Sequence, residues 1–246
     1  MGSTERQLGD ERDWREAAIS TVSLARVLPA ILASVPAEDH EVAARTLVVP
    51  LVRARDADLA EVMGTQMPAA FAFLVVEGVV LKETSLEGRT ALELLGPGDV
   101  LAPPLTAVRQ LDSRAVSRYL AHGVVSLAAI EARFRRSARR WPGIGDFLHD
   151  RLGRQTHRAS MNLAMLHLPR TEDRVIALFS DLGERFGRVT PDGVVIDLRL
   201  SHEVIGGLVG GRRSTVTIAL NRLAANGLLE RIGDQRWKLA RGIVSA

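Results

Sequence analysis

Arg213, Ser214, Thr217 and Asn221 carry the densest set of nucleic-acid-compatible groups in the chain. At helical spacing they fall opposite Val216, Ala219, Leu220 and Leu223, which recur at i, i+3, i+4 and i+7. The apolar set packs inward, leaving a guanidinium, two hydroxyls and an amide outward. Such groups bond phosphates and base edges in a DNA major groove. Arg212 and Thr215 adjoin them, and Ser201 stands eleven residues before Arg212 at the start of another short helical stretch. Farther on, Arg231, Arg236 and Lys238 are cations suited to backbone phosphates. Trp237, alone among leucines, reads as packing rather than as a base-stacking platform.

Other chemistries find less support. Gly206 to Thr215 loosely imitates a phosphate-binding glycine loop, but the lysine that reaches the phosphates is missing and a helix, not a strand, precedes it. The absence of cysteine removes disulfides, thiolate nucleophiles, and Cys-held zinc and iron–sulfur centres. Six histidines (His40, His122, His149, His157, His167 and His202) leave a haem ligand open, yet none forms a close His-x-His or His-Glu-x-x-His pair. No triad-like grouping stands out. No catalytic residue, metal ligand or cofactor is therefore expected.

The chain has 246 residues, 46% hydrophobic and 25% charged, with a mean hydropathy of +0.07. It is long enough for one large domain or two ordinary ones. No apolar run approaches the roughly 20 residues of a membrane helix. Met1 to Asp13 is charged and lacks the apolar centre of a signal peptide, so a cytoplasmic protein without membrane contact is expected. The net charge of +3 is unevenly spread. From Arg199 onward eight basic residues face three acidic ones, a net +5, which leaves −2 for everything before. A near-neutral body with a basic end suits a polyanion-binding module at the C-terminus.

These groups need elements to hold them. A helical pattern is expected from Trp14 to Leu32. From Thr46 to about Ile130, apolar stretches such as Phe71–Val76, Val79–Leu81, Ala91–Leu95 and Val124–Leu127 alternate with Gly, Pro and Asp, as in an antiparallel sandwich or barrel. Pro103-Pro104 marks a loop. Pro142 can open a helix, and Ile144 to Leu168 holds no proline. There Ile144, Leu148, Leu152, Gln155, Ala159, Asn162, Leu163 and Leu166 line one face, read as a dimer helix with Gln155 and Asn162 setting register. The alternative is a helix lying on its own domain. Thr171 is expected to cap the next helix, which closes at Gly187. Val189–Leu198 reads as two strands around Pro-Asp-Gly. Then Ser201 caps a helix to Leu208, Val209-Gly-Gly211 turns, and a second helix runs from Arg212 to a stop at Gly227. A hairpin from Leu228 to Leu239 completes a winged helix.

This order resembles the Crp/Fnr family of bacterial transcription regulators. The most specific stretch is Leu200 to Leu229, with its Leu-Ser start, Val-Gly turn, Arg-Ser-Thr-Val run and Gly-Leu finish. Gly78, Leu94 to Asp99 and Phe134 match landmarks of the family's sensor domain. The resemblance implies an α+β fold: an N-terminal β-barrel sensor domain of cupin-like, double-stranded β-helix type, a long dimerisation helix, and a C-terminal winged helix-turn-helix. The expected divisions are 1–45 (helical), 46–142 (barrel), 143–168 (dimer helix) and 169–246 (DNA-binding). Double-stranded DNA and a second copy are the implied partners, with RNA polymerase a further one and the effector unknown.

Departures from the family pattern shape the expectation. Of its three base readers, Arg, Glu and Arg, only Arg213 is kept; Ser214 and Ile218 occupy the other two positions. The operator should therefore differ from the family's usual one. In the sensor half, Gly98 and Asp99 are ligand-pocket candidates, but Pro103-Pro104 follows them. Only Arg109 or Arg114 could be the phosphate arginine, and neither precedes the expected Ser/Thr-Ala pair. The usual cyclic-AMP response is not expected. Two alternatives stay open: a regulator whose barrel only dimerises or docks a partner, and, more distantly, a barrel enzyme with a helical tail.

Overall fold

The computed structural model describes residues 19–102, 115–233 and 236–243. The chain divides into two compact units, one of residues 1–83 and 94–155, the other of 84–93 and 156–246.

A six-stranded sheet, apart from its hairpin tip at 84–93, forms the first unit. Its strands are β1 (Ser20–Ser23), β2 (Val48–Arg55), β3 (Ala70–Leu86), β4 (Arg89–Leu95), β5 (Val100–Leu101) and β6 (Ala115–Glu131). They run in the order β1-β2-β6-β3-β4, with β5 against β3. Among the described residues the path has two ends and is not closed into a barrel, though the β-rich domain is the one expected. Period-two alternation divides its apolar residues into two cores. Phe73, Val75, Leu127 and Ala129 join one with Val52, Leu59 and Leu101. Leu74, Ala128 and Ile130 join the other, covered by α1 (Leu24–Val27), α2 (His40–Thr46), Phe134 of α4 (Ala132–Ala138) and Ile144. A one-turn helix, α3 (Leu59–Glu61), lies between β2 and β3.

Two sequence expectations change here. Residues 14–18 of the expected first helix lie outside the described residues, and the rest is not one helix. Ser20–Ser23 is a strand on β2, because Thr21 and Val22 are β-branched and pair with Pro50 and Val49. A 3-10 turn then starts at Pro29, whose ring suits a first helical position. The expected turn at Glu77-Gly78 is instead a bend within continuous β3. Gly78 has φ +83°, and a Cβ there would lie 2.1 Å from the Val124 carbonyl oxygen. Only glycine lets the crossing strand approach so closely. Pro103-Pro104 lies outside the described residues.

Helix α5 (Gly143–Leu166) follows α4. Ile144 is buried and Leu148 packs on the same core, so both serve their own unit. Gln155 does not sit in a helical seam. Its amide bonds both polar groups of the Val100 backbone, accepting from N–H at 3.0 Å and donating to C=O at 3.1 Å. Of its apolar residues α5 leaves Leu152, Leu163 and Leu166 exposed on the face of Thr156 and Ala159, and Met161 exposed on the opposite side.

The second unit holds α6 (Thr171–Phe186), β7 (Gly187–Thr190), β8 (Gly193–Asp197), α7 (His202–Val209), α8 (Arg213–Ala225), β9 (Leu229–Ile232) and β10 (Arg236–Leu239). Thr171 is the first helical residue of α6, and Arg170 occupies the cap without a side-chain bond. The strands form an antiparallel sheet in the order β7-β8-β10-β9. Phe179 of α6 meets Trp237 of β10 at a ring-centroid distance of 4.9 Å, and both are almost fully buried. Trp237 is thus a packing residue, as expected.

Candidate nucleic-acid interface

Helices α7 and α8 form a helix-turn-helix whose geometry follows from a few residues. The Ser201 hydroxyl accepts from the Val204 N–H at 3.1 Å, satisfying an orphan donor at the start of α7. Gly210 closes α7 at φ +63°, and the Gly211 N–H reaches the Gly206 carbonyl at 2.8 Å. A Cβ on Gly206 would lie 2.6 Å from the Gly211 carbonyl oxygen, so the tight return of the chain needs glycine there. Arg174 of α6 donates to the Val209 carbonyl at 3.0 Å and ties down the same end. Arg222 of α8 bonds Glu172 of α6 at 2.7 Å, and that bond holds the Glu172 carboxyl below its usual range. Gly227, at φ +67°, ends the motif.

Val216, Ala219, Leu220 and Leu223 are buried, which turns the other side of α8 outward. Arg212, at the cap, and Arg213, Ser214, Thr215 and Asn221 are all exposed. Thr217 is a correction. It is half-buried, and its hydroxyl lies 2.9 Å from the Arg213 carbonyl and 2.8 Å from His202 Nδ1. A threonine one turn after Arg213 finds the preceding helical carbonyl more readily than solvent. Ile218 replaces it at the centre of the outward face, 54% exposed.

The hairpin β9–β10 carries the basic residues unevenly. Arg236 is exposed and stands in register with Asp197 on β8. Lys238 Nζ lies 3.0 Å from the Glu230 carboxylate. The Arg231 guanidinium sits 5.9 Å from the Trp237 ring centroid, over the indole.

In the first unit, Gly98 and Asp99 belong to a turn already engaged by its own chain. The buried Asp99 accepts from the Gly96 N–H at 2.9 Å. Gly98 has φ +89°, and the Arg151 guanidinium occupies the space a Cβ would take. Arg109 and Arg114 lie outside the described residues. Among the described residues no group of three His, Asp or Glu side chains could hold a metal, and no helix is long and apolar enough to cross a membrane.

Residues 173–240 match the model of the Crp-like helix-turn-helix domain. Regulatory protein CysR of Synechococcus elongatus is 31% identical over 146 residues, which is 57% of this chain and 62% of that protein. The C-terminal part of this chain is a Crp-like helix-turn-helix domain. The chain spans less than two thirds of the curated relative it matches. Two solved structures share the fold over most of their length. FixK2 from Bradyrhizobium japonicum is 20% identical with a TM-score of 0.59, covering 80% of this chain and 98% of that one. A cyclic nucleotide-binding domain containing protein from Listeria monocytogenes is 16% identical with a TM-score of 0.63, covering 91% and 100%.

Sequence reasoning places Ile218 at a base-reader position but misses His202, whose contact with Thr217 spans two helices and leaves no local signal.

Proposed function

We propose that this chain is a dimeric, sequence-specific DNA-binding transcription regulator of the cytoplasm. The observation that carries this is the exposed row of α8, held on a capped and pinned helix-turn-helix. In this reading α8 enters the major groove with its N-terminal half toward the bases, while α7 crosses the backbone. Arg213 then reads guanine through O6 and N7, and Ile218 meets a thymine methyl. Arg236 meets phosphate, and Lys238 contributes less because Glu230 already shares its charge. Two copies join along the Leu152–Leu163–Leu166 face of α5, and RNA polymerase is the partner through which binding acts on transcription.

Selection from a random duplex library tests the reading. Wild type is expected to enrich an inverted repeat with half-sites about 10 base pairs apart, centre to centre. Arg213→Ala should relax one base pair in each half-site, at roughly 1–3 kcal/mol of lost discrimination. No enriched repeat, or unchanged bases with Arg213→Ala, defeats the proposal.

A second reading, regulation without a small-molecule effector, is favoured by the engagement of the Gly96–Val100 turn by Arg151 and Gln155. Calorimetry with cyclic AMP and cyclic GMP should then show no binding heat, and a saturable isotherm with either would rule it out.

A further inference from the structure

His202 has no role in the helix-turn-helix as read so far, yet it stands at the first position of α7, half-buried, between the two helices. Its partner fixes its protonation. The Thr217 hydroxyl has one proton, which it donates to the Arg213 carbonyl. Only an oxygen lone pair is left for His202 Nδ1 at 2.8 Å, so Nδ1 carries the hydrogen. The other ring nitrogen, Nε2, has no hydrogen-bond partner among the described residues.

We propose that His202 has two tasks in DNA recognition: Nδ1 latches the recognition helix to α7, and Nε2 takes a backbone phosphate as a cation. The proposal rests on the DNA-binding reading above. The first helix of such a motif crosses the sugar–phosphate backbone, and His202 is its leading residue.

The charges around the ring explain why this contact depends on protonation. Arg213 faces it from α8 and Arg231 from β9, both cations. Glu203 is its neighbour on α7, and Arg174, from α6, is engaged at the far end of the helix with Val209. Burial first, then Arg231 and Arg213, hold the ring's pKa below histidine's ordinary 6.5. The free protein therefore keeps His202 neutral at neutral pH. A phosphate at Nε2 offsets both cations and favours the imidazolium. The bound state then has the higher pKa, so DNA binding takes up a proton and tightens as pH falls through the histidine range. Protonation leaves the Nδ1–H bond to Thr217 intact, so the latch holds in both states.

The test measures affinity for a labelled, mixed-sequence duplex of about 30 base pairs, long enough for two half-sites one turn apart. Titrations run over a salt series at about pH 8 and about pH 5.5, either side of the histidine range. For wild type, affinity is expected to rise on acidification, and the slope of log K against log salt to steepen by about 0.9 per half-site. His202→Asn places an amide nitrogen where Nδ1 was, keeping the latch without titration. It should match wild type at the higher pH and lack the additional steepening at the lower one. His202→Gln, with its amide at the Nε2 position, should also lack it. Thr217→Val keeps the titrating ring but loses the latch, so it should retain the pH response and enrich a more degenerate operator. A wild type that binds the duplex with the same slope at both pH values overturns the proposal, as does an undiminished steepening in His202→Asn. If wild type binds no duplex at either pH, the DNA-binding reading falls with it.

Discussion

Replacing Leu152 and Leu163 together with glutamate tests the proposed dimer contact most directly. These residues are 48% and 64% exposed, and Leu166 adds 37% on the same face of α5. Together that is about one and a half leucine side chains per chain, or about three across a twofold contact. At roughly 1.5–3 kcal/mol per fully buried leucine, the face supplies about 5–9 kcal/mol to association. Leu152 and Leu163 account for some three quarters of it, so the double variant forfeits at least about 3.5 kcal/mol, a few hundred-fold in dissociation constant. Two carboxylates brought against their twofold mates weaken it further. Neither leucine supports the core of its own unit, so the helical circular-dichroism signal and melting of the monomer should change little. Sedimentation equilibrium over a wide concentration range reads the constant, and a filter-binding titration should show operator affinity falling in parallel. A double variant with the wild-type dimer constant refutes the reasoning, and so does a wild type that is monomeric throughout.

Gly78→Ala should destabilise the first unit by more than the roughly 1–3 kcal/mol of a strained positive-φ residue, because the added methyl also meets the Val124 carbonyl; urea denaturation checks this. Trp237→Ala should cost about 3–5 kcal/mol by leaving a cavity against Phe179, melting the second unit while the first unit keeps its own transition in calorimetry.

Legibility in the sequence followed the range of the interactions. The Ser201 cap, the Gly210 and Gly227 stops, the Pro-Asp-Gly hairpin and the buried stripe of α8 rest on neighbours within a few residues, and all were read correctly. Leu152 and Leu166 were placed together on one helix face because helical periodicity is local, and both are exposed there. Gln155 misled for the opposite reason: its partner, the Val100 backbone, is 55 residues away. Ser20–Ser23 looked helical until the partner strand, near Val49, was known. Gly78 carried a true signal, glycine in an apolar run, but a turn and a mid-strand bend share that signal, and only the crossing of β6 separates them. Thr217 was assigned to the outward face from angle alone, without the histidine that claims its hydroxyl.

The strand order β8-β10-β9 has a bearing on how such an interface diversifies. The chain leaves β8 at Asp197 and re-enters at Leu229 on β9, and β10 lies hydrogen-bonded between the two. The exit and the return are therefore fixed about 14 Å apart, two strand spacings across the sheet and three residues along it, by main-chain bonds that do not depend on which side chains the intervening segment carries. Residues 198–228 behave as a cartridge clipped into a frame. The outward positions of α8, Ser214 and Ile218 among them, can exchange one by one while the frame stays closed. New operators then become accessible through single substitutions, with the cost in foldability confined to the few buried positions of α7 and α8.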